Sequence, residues 1–245
     1  MTRVKICGCR TVEQALTAAE AGADFVGIVF AESRRLVGVE EASEIVRALG
    51  RPLAEREMES PPALFRSADA GLRAWFEHGA AALERLLERK RPLTVGVFAN
   101  NDPDEINEIV DECGIDLVQL SGGEPWQACL LANRQVIKAL HLAPDETAAA
   151  ALARLETGSA LAVLLDRADA VAFGGTGRPV EWKVAAGVSA EIPVWLAGGL
   201  TPANVAAAIK AMHPWCVDVS SGVETEGVKD AVKIRAFVAA AKAAR

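Results

Sequence analysis

No apolar run in the chain approaches the ~18 residues of a membrane-spanning helix. No charged segment followed by a long apolar stretch opens it either. These two absences predict a soluble, cytoplasmic protein with no membrane partner. Histidine is scarce: the three residues, His78, His141 and His213, share no ligand spacing, so no metal site is expected. Cysteine is sparse and odd in number, five in all, which excludes a closed disulfide framework and fits a reducing compartment. Positive charge is in deficit, 26 Lys and Arg against 33 Asp and Glu, for a net charge of −7. That balance argues against a nucleic-acid partner while leaving room for a small anion held locally. What the sequence has is apolar mass: 51% of its residues are hydrophobic, ample for a large core and incompatible with a disordered chain. Its 245 residues lie between one and two ordinary domains, yet barrel folds of about 250 residues form one.

Short β-branched runs recur, each followed by an Ala-rich amphipathic stretch. Residues 4–7, 25–30, 94–98, 116–120, 135–140, 160–165, 193–197 and 216–220 read as strands. The stretches 11–21, 40–49, 104–113, 125–132, 144–155, 180–188, 202–212 and 230–243 read as helices, with Thr11 and Asp102 as N-caps and Pro202 in a first turn. Eight strand–helix units imply parallel pairing through right-handed crossovers, and continuous apolar strands imply a sheet covered on both faces. A single (β/α)8 (TIM) barrel over residues 1–245 is the expectation. Residues 51–91 interrupt the rhythm: 15 of 41 are charged there, against 44 of 204 elsewhere. Leu72, Trp75, Phe76, Leu83, Leu86 and Leu87 recur at helical spacing within it. This predicts a helical insertion between helix 2 and strand 3 on the barrel's N-terminal face, away from the chemistry, read as packed against the barrel wall in preference to a partner-binding helix.

Barrel enzymes draw their active sites from strand C-termini and the loops that follow. Strand 1 ends in Lys5-Ile6-Cys7-Gly8, and alternation points Lys5 and Cys7 the same way, about 6.6 Å apart at Cα. A nearby cation lowers a thiol's pKa and favours the thiolate, whereas a free cysteine also serves as a small buried hydrophobe; both readings stand for Cys7. With no histidine beside Cys7-Gly8-Cys9, a metal site there is not expected. Cys113, Cys129 and Cys216 read as core or helix-surface thiols. Asp166 ends strand 6 at the mouth, either as a proton donor raised by desolvation or as an ion-pair partner of Arg167. Asp218 on strand 8 has Lys5 or a ligand nitrogen as candidate partners. The turns after strands 7 and 8 carry Gly198-Gly199 and Ser220-Ser221-Gly222, whose amides and hydroxyls suit a phosphate. Gly174-Gly175-Thr176-Gly177 suits a loop that closes over a ligand. The residues by themselves therefore point to a barrel enzyme for a phosphorylated small molecule, with Cys7 and Asp166 as candidate base and acid.

Over the whole chain except roughly 51–91, the sequence resembles the phosphoribosylanthranilate isomerases of tryptophan biosynthesis. The resemblance is carried by Val4-Lys5-Ile6-Cys7-Gly8, Val95-Gly96-Val97-Phe98, Val118-Gln119-Leu120, Leu164-Leu165-Asp166, Leu196-Ala197-Gly198-Gly199-Leu200 and the string from Val217 to Glu224 with Gly227-Val228-Lys229-Asp230. It implies an Amadori rearrangement without cofactor or metal, and a monomer or homodimer. It makes Cys7 the general base at ribose C2′ and Asp166 the general acid at the furanose ring oxygen. Arg35 would hold the anthranilate carboxylate, Asp218 would sit near the amino nitrogen, and Gly198, Gly199, Ser220, Ser221 and Gly222 would hold the phosphate. The chain departs from the family pattern in two motifs: Ser121-Gly122-Gly123-Glu124 replaces His-Gly-Asp-Glu, and Ser33-Arg34-Arg35 replaces Ser-Pro-Arg. Two competing readings are a sister isomerase of histidine biosynthesis and a silent barrel that binds a phosphorylated metabolite. The first has an aspartate base on strand 1 where this chain has Cys7; the second has no need of an acid–base pair.

Overall fold

The computed structural model describes residues 1–55, 71–143, 145–167 and 179–244. Eight parallel strands close on themselves in chain order: β1 (Arg3–Cys7), β2 (Phe25–Val29), β3 (Leu93–Phe98), β4 (Leu117–Leu120), β5 (Gln135–Leu142), β6 (Ala162–Arg167), β7 (Trp195–Leu196) and β8 (Cys216–Val219). Strand β8 pairs back onto β1, which completes the expected barrel. Outside it run α1 (Val12–Glu20), α2 (Val39–Ala48), α3 (Leu72–Arg89), α4 (Pro103–Cys113), α5 (Ala148–Ala153), α6 (Pro179–Ser189), α7 (Val205–Met212) and α8 (Ala231–Ala243). Thr11 and Asp102 cap α1 and α4 with side-chain oxygens that accept from Gln14 N and Asp104 N.

Alternation along the strands builds two apolar layers. Outward residues such as Ile6, Val26, Ile28 and Val118 pack on the helices, while Phe25, Leu93, Leu117, Ile137 and Trp195 fill the interior. Helix α3 lies across the strands' N-terminal ends. Trp75 Nε1 donates to Ala160 O at 2.8 Å, Arg3 on β1 pairs with Glu84, and Leu83 and Leu86 join the interior cluster. A Cβ on Gly79 would stand 1.9 Å from Leu161 O, so glycine lets the helix approach that closely. Two buried carboxylates pin the same end. Asp24 accepts from Val4 N, Arg3 and Lys242, and Asp116 accepts from Lys90, Thr94 and Leu53 N.

The structure corrects several sequence expectations. The fourth crossover is a 3₁₀ segment, Trp126–Leu131, instead of an α-helix; Asn107 Nδ2 takes the Leu131 carbonyl and stops the coil. Pro202 lies ahead of α7 because Asn204 accepts from Thr201 N and donates to Gly199 O, holding the chain in a turn until Val205. Strands β5 and β6 run two residues farther than their apolar runs, through the pair His141 and Asp166. A two-stranded hairpin, β9 (Glu224–Thr225) and β10 (Val228–Lys229), follows β8.

Candidate active site

Inside the mouth, the buried Lys5 ammonium is the central charge. Its Nζ donates to Gln119 Oε1 at 2.8 Å and to Asp218 Oδ2 at 3.0 Å, reaching β4 on one side and β8 on the other. Asp218 is Lys5's register partner, and its Oδ1 is buried without a hydrogen-bond partner among the described residues. Gln119 continues the line outward by donating to Ser121 Oγ at 2.9 Å. Burial alone would lower the Lys5 pKa, but Asp218 and Cys7 raise it overall, so it stays an ammonium.

Cys7 sits one pleat above Lys5, packed against Val29 and Val97. Gly27 allows that packing, since a Cβ there would stand 2.9 Å from Cys7 Sγ. The thiol departs from the sequence expectation that Lys5 holds it below its usual value. Burial pushes it up, Asp218 adds to the rise, and Lys5 and Lys229 offset only part of it. Desolvation of a thiolate outweighs one cation that is already shared with a carboxylate.

The rim beside Cys7 is a cluster of charge. Arg35 forks onto Glu224 through Nε at 2.7 Å and Nη2 at 3.0 Å, and Arg34 Nη2 and Lys229 Nζ each reach the same carboxylate at 2.7 Å. Lys229 also donates to Ser220 O, and Ser220 Oγ donates to Cys7 O at 3.1 Å. The Ser220 hydroxyl proton is thus committed to the main chain, and that residue's donor toward an anion is its amide.

The two glycine turns adjoin. Gly198 and Gly199 take left-handed φ values of 86° and 67°. A Cβ on Gly222 would stand 1.8 Å from Leu200 O, so only glycine lets the turns after β7 and β8 touch. Asp166 shares inward parity with Ala162 and Leu164 and lines a cavity with Ala197, Gly198 and Trp182. Its register neighbour His141 places Nε2 2.8 Å from Ser121 O; a carbonyl only accepts, so Nε2 carries the proton. Cys7, Arg35, Asp166, Gly198, Gly199, Asp218, Ser220, Ser221 and Gly222 therefore all occupy the C-terminal end of the barrel. Gly174-Gly175-Thr176-Gly177 lies outside the described residues. Sequence reasoning assigned no role to Gln119, Glu224 or Lys229; the family strings Val118-Gln119-Leu120, Val217 to Glu224 and Gly227-Val228-Lys229-Asp230 were the signals pointing at them. Among the described residues, no group of three or more His, Cys, Asp or Glu could hold a metal ion, and no helix is long and apolar enough to cross a membrane.

Comparison with known proteins shows the family. Residues 62–240 match the family described as N-(5′-phosphoribosyl)anthranilate (PRA) isomerase. An N-(5′-phosphoribosyl)anthranilate isomerase of Dehalococcoides mccartyi is 40% identical over 243 residues, covering 97% of this chain and 94% of the relative. The crystal structure of phosphoribosyl anthranilate isomerase from Thermotoga maritima superposes with a TM-score of 0.73 at 32% identity over 99% of both chains. A structure of the isomerase in complex with reduced 1-(o-carboxyphenylamino)-1-deoxyribulose 5-phosphate superposes with a TM-score of 0.69 at 31% identity, again over 99% of both chains.

Proposed function

The chain belongs to the N-(5′-phosphoribosyl)anthranilate isomerase family, and from that membership we propose how its own residues carry the reaction. The protein is an isomerase of tryptophan biosynthesis that converts N-(5′-phosphoribosyl)anthranilate into 1-(2-carboxyphenylamino)-1-deoxyribulose 5-phosphate by an Amadori rearrangement. Asp166 donates a proton to the furanose ring oxygen as the C1′–O bond breaks, and the amino nitrogen's lone pair forms the C1′=N bond. The Cys7 thiolate takes the C2′ proton, and the C–H electrons move toward that bond to give an enolamine, which becomes the ketone by proton transfer. Burial makes the thiolate rarer but a stronger base, as abstraction from carbon requires. Arg35 holds the anthranilate carboxylate, and Asp218 faces the amino nitrogen with its second oxygen. Gly198, Gly199, Ser220, Ser221 and Gly222 hold the phosphate, Ser220 through its amide.

One observation carries this reading. The thiol at the end of β1 and the carboxyl on β6 flank β7 and β8, whose glycine turns meet at Gly222 and Leu200 O. A sugar phosphate anchored at those turns lies between acid and base. The reading extends to a cytoplasmic enzyme, monomeric or homodimeric; a Thermotoga maritima relative is described as dimeric. It also takes residues 51–91 as an insertion that serves stability through α3. Adding purified protein to N-(5′-phosphoribosyl)anthranilate should extinguish the anthranilate fluorescence. Folded protein that leaves the signal at its uncatalysed decay rate overturns the assignment.

A further inference from the structure

We propose that Glu224 is a positioning residue that couples the two anion anchors of the mouth, aiming Arg35 at the ligand's carboxylate and setting the Ser220 turn for its phosphate. The inference rests on the roles given above to Arg35 and Ser220. It adds a residue that touches neither anion.

The Glu224 side chain is only 4% exposed, and its carboxylate meets three cations from two loops. Arg34 and Arg35 come from the segment after β2, and Lys229 from the far strand of its own hairpin, where it is Glu224's register partner. A carboxylate has about four lone-pair directions, and four N–H groups occupy them: Arg35 Nε and Nη2, Arg34 Nη2 and Lys229 Nζ. With its acceptor capacity filled, Glu224 orients donors and does not itself bind a ligand. Although burial alone would raise its pKa, Arg35 and Lys229 hold it down to about 2, so the carboxylate stays charged wherever the enzyme works.

Each contact has a geometric consequence. Glu224 takes the side edge of the Arg35 guanidinium, Nε and Nη2, so the end-on edge with Nη1 faces away from the carboxylate. A fork of this kind fixes the guanidinium plane as well as its position. The Arg35 stem lies over Gly8, where an added Cβ would be 2.6 Å from Arg35 Cδ and 3.2 Å from Ser220 Oγ. Arginine and serine thus share the space above the end of β1, next to Cys7. Lys229 carries the order onward, donating to Ser220 O at 3.0 Å and Oγ at 3.3 Å, and Ser220 Oγ reaches Cys7 O.

Electrostatics point the same way. Without Glu224, Arg34, Arg35 and Lys229 repel one another around one point. With it, they form an ordered array around one buried carboxylate.

The test compares three variants by KM, kcat and titration with the reduced product, which carries both anions. Glu224→Gln keeps the shape and removes the charge. It should raise KM and the Kd of the reduced product at least tenfold while kcat falls less than threefold, and Glu224→Asp should recover part of the affinity. Lys229→Met leaves the Arg35 fork intact, so it should raise the inhibition constant of inorganic phosphate at least fivefold. Arg35→Gln is the control for the underlying assignment. If Arg35→Gln weakens binding tenfold and Glu224→Gln leaves KM within twofold, the positioning role is overturned and the anchor assignment stands. If neither variant moves KM, the anchor assignment itself fails. Should Glu224→Gln not fold, Lys229→Met decides, and an unchanged phosphate inhibition constant overturns the coupling.

Discussion

The two ends of the barrel handle buried charge in opposite ways. At the N-terminal end, Asp24 and Asp116 are surrounded by donors that match them, and α3 closes over the interior. At the C-terminal end, among the described residues, Asp218 keeps an oxygen without a hydrogen-bond partner, the Cys7 thiol is buried and raised, and three cations meet the Glu224 carboxylate. The first arrangement fixes strand ends and asks nothing of a ligand. The second leaves a buried carboxylate oxygen unmatched among the described residues, at the end where we propose that the ligand binds. One topology thus separates the end that holds the barrel shut from the mouth where we propose the chemistry.

The sharpest break in that separation comes from Cys7 and Asp166, the base and acid we propose. Cys7→Ser and Asp166→Asn should each reduce kcat by about 10³-fold, near the middle of the range for a lost general acid or base. The melting temperature should change little, and reduced-product affinity should hold within about tenfold, ~1.4 kcal/mol. Near-wild-type turnover in folded Cys7→Ser would return Cys7 to core packing.

The mirror experiment is at the other end. Asp116→Asn strands the Lys90 ammonium, 2% exposed, without its counter-ion at 2.7 Å. Removing one partner of a buried pair costs about 3–5 kcal/mol, or roughly 10 °C in Tm for a chain of this size. The kcat/KM measured well below that Tm should equal wild type. A variant that melts normally but turns over slowly would show that the two ends are coupled.

Acidity and alkalinity sharpen the same contrast. The raised Cys7 thiol places the ascending limb of kcat/KM alkaline of an ordinary cysteine's titration. Asp218 contributes to that rise, so Asp218→Asn should move the limb toward acid. Glu224 has a folded pKa of about 2 against an ordinary 4.5, so its stabilisation is complete above pH 4.5 and is lost as pH falls toward 2. Urea titrations across that window should show a steeper loss in wild type than in Glu224→Gln; equal slopes would mean that the rim carboxylate does not contribute to acid sensitivity.

The barrel was legible because the strands are short apolar runs and every crossover except the 3₁₀ segment after β4 is an α-helix read from its period. Its boundaries were less so: hydropathy ends strands 5 and 6 at Leu140 and Leu165, yet the ladder continues through polar His141 and Asp166, which face the mouth rather than a core. Cys7, Asp166, Arg35, Asp218 and the glycine turns could be placed at the mouth because strand ends define it. Gln119 and Glu224 could not be given roles, since each meets its partner across 114 or 189 residues, a pairing that only the closed barrel creates. Of the two readings left open for Cys7, a thiol lowered by Lys5 is the one the structure does not support, for a related reason. Sequence shows the neighbouring lysine, whereas the depth of burial and the sharing of that lysine with Asp218 emerge only in three dimensions.

The smallest effects give the finest test, because two hydrogen bonds of similar strength lie at opposite ends. Trp75→Phe removes the 2.8 Å bond from Nε1 to Ala160 O beneath the barrel, and Ser121→Ala removes the 2.9 Å bond from Gln119 Nε2 to Ser121 Oγ above it. Each is worth about 1 kcal/mol, but the two losses should appear in different measurements. At Trp75 the carbonyl left behind belongs to the rigid entry to β6, so the cost falls on folding: about 3 °C in Tm and no change in kcat. At Ser121 the group released is the Gln119 amide, whose other end accepts from the Lys5 ammonium beneath Cys7. A looser Gln119 lets Lys5 shift between Asp218 and the thiol, so the cost falls on the base: a few-fold drop in kcat with Tm nearly unchanged. If both variants lose only stability, Gln119 is ordinary packing, and the chemistry of the mouth begins at Lys5 rather than at β4.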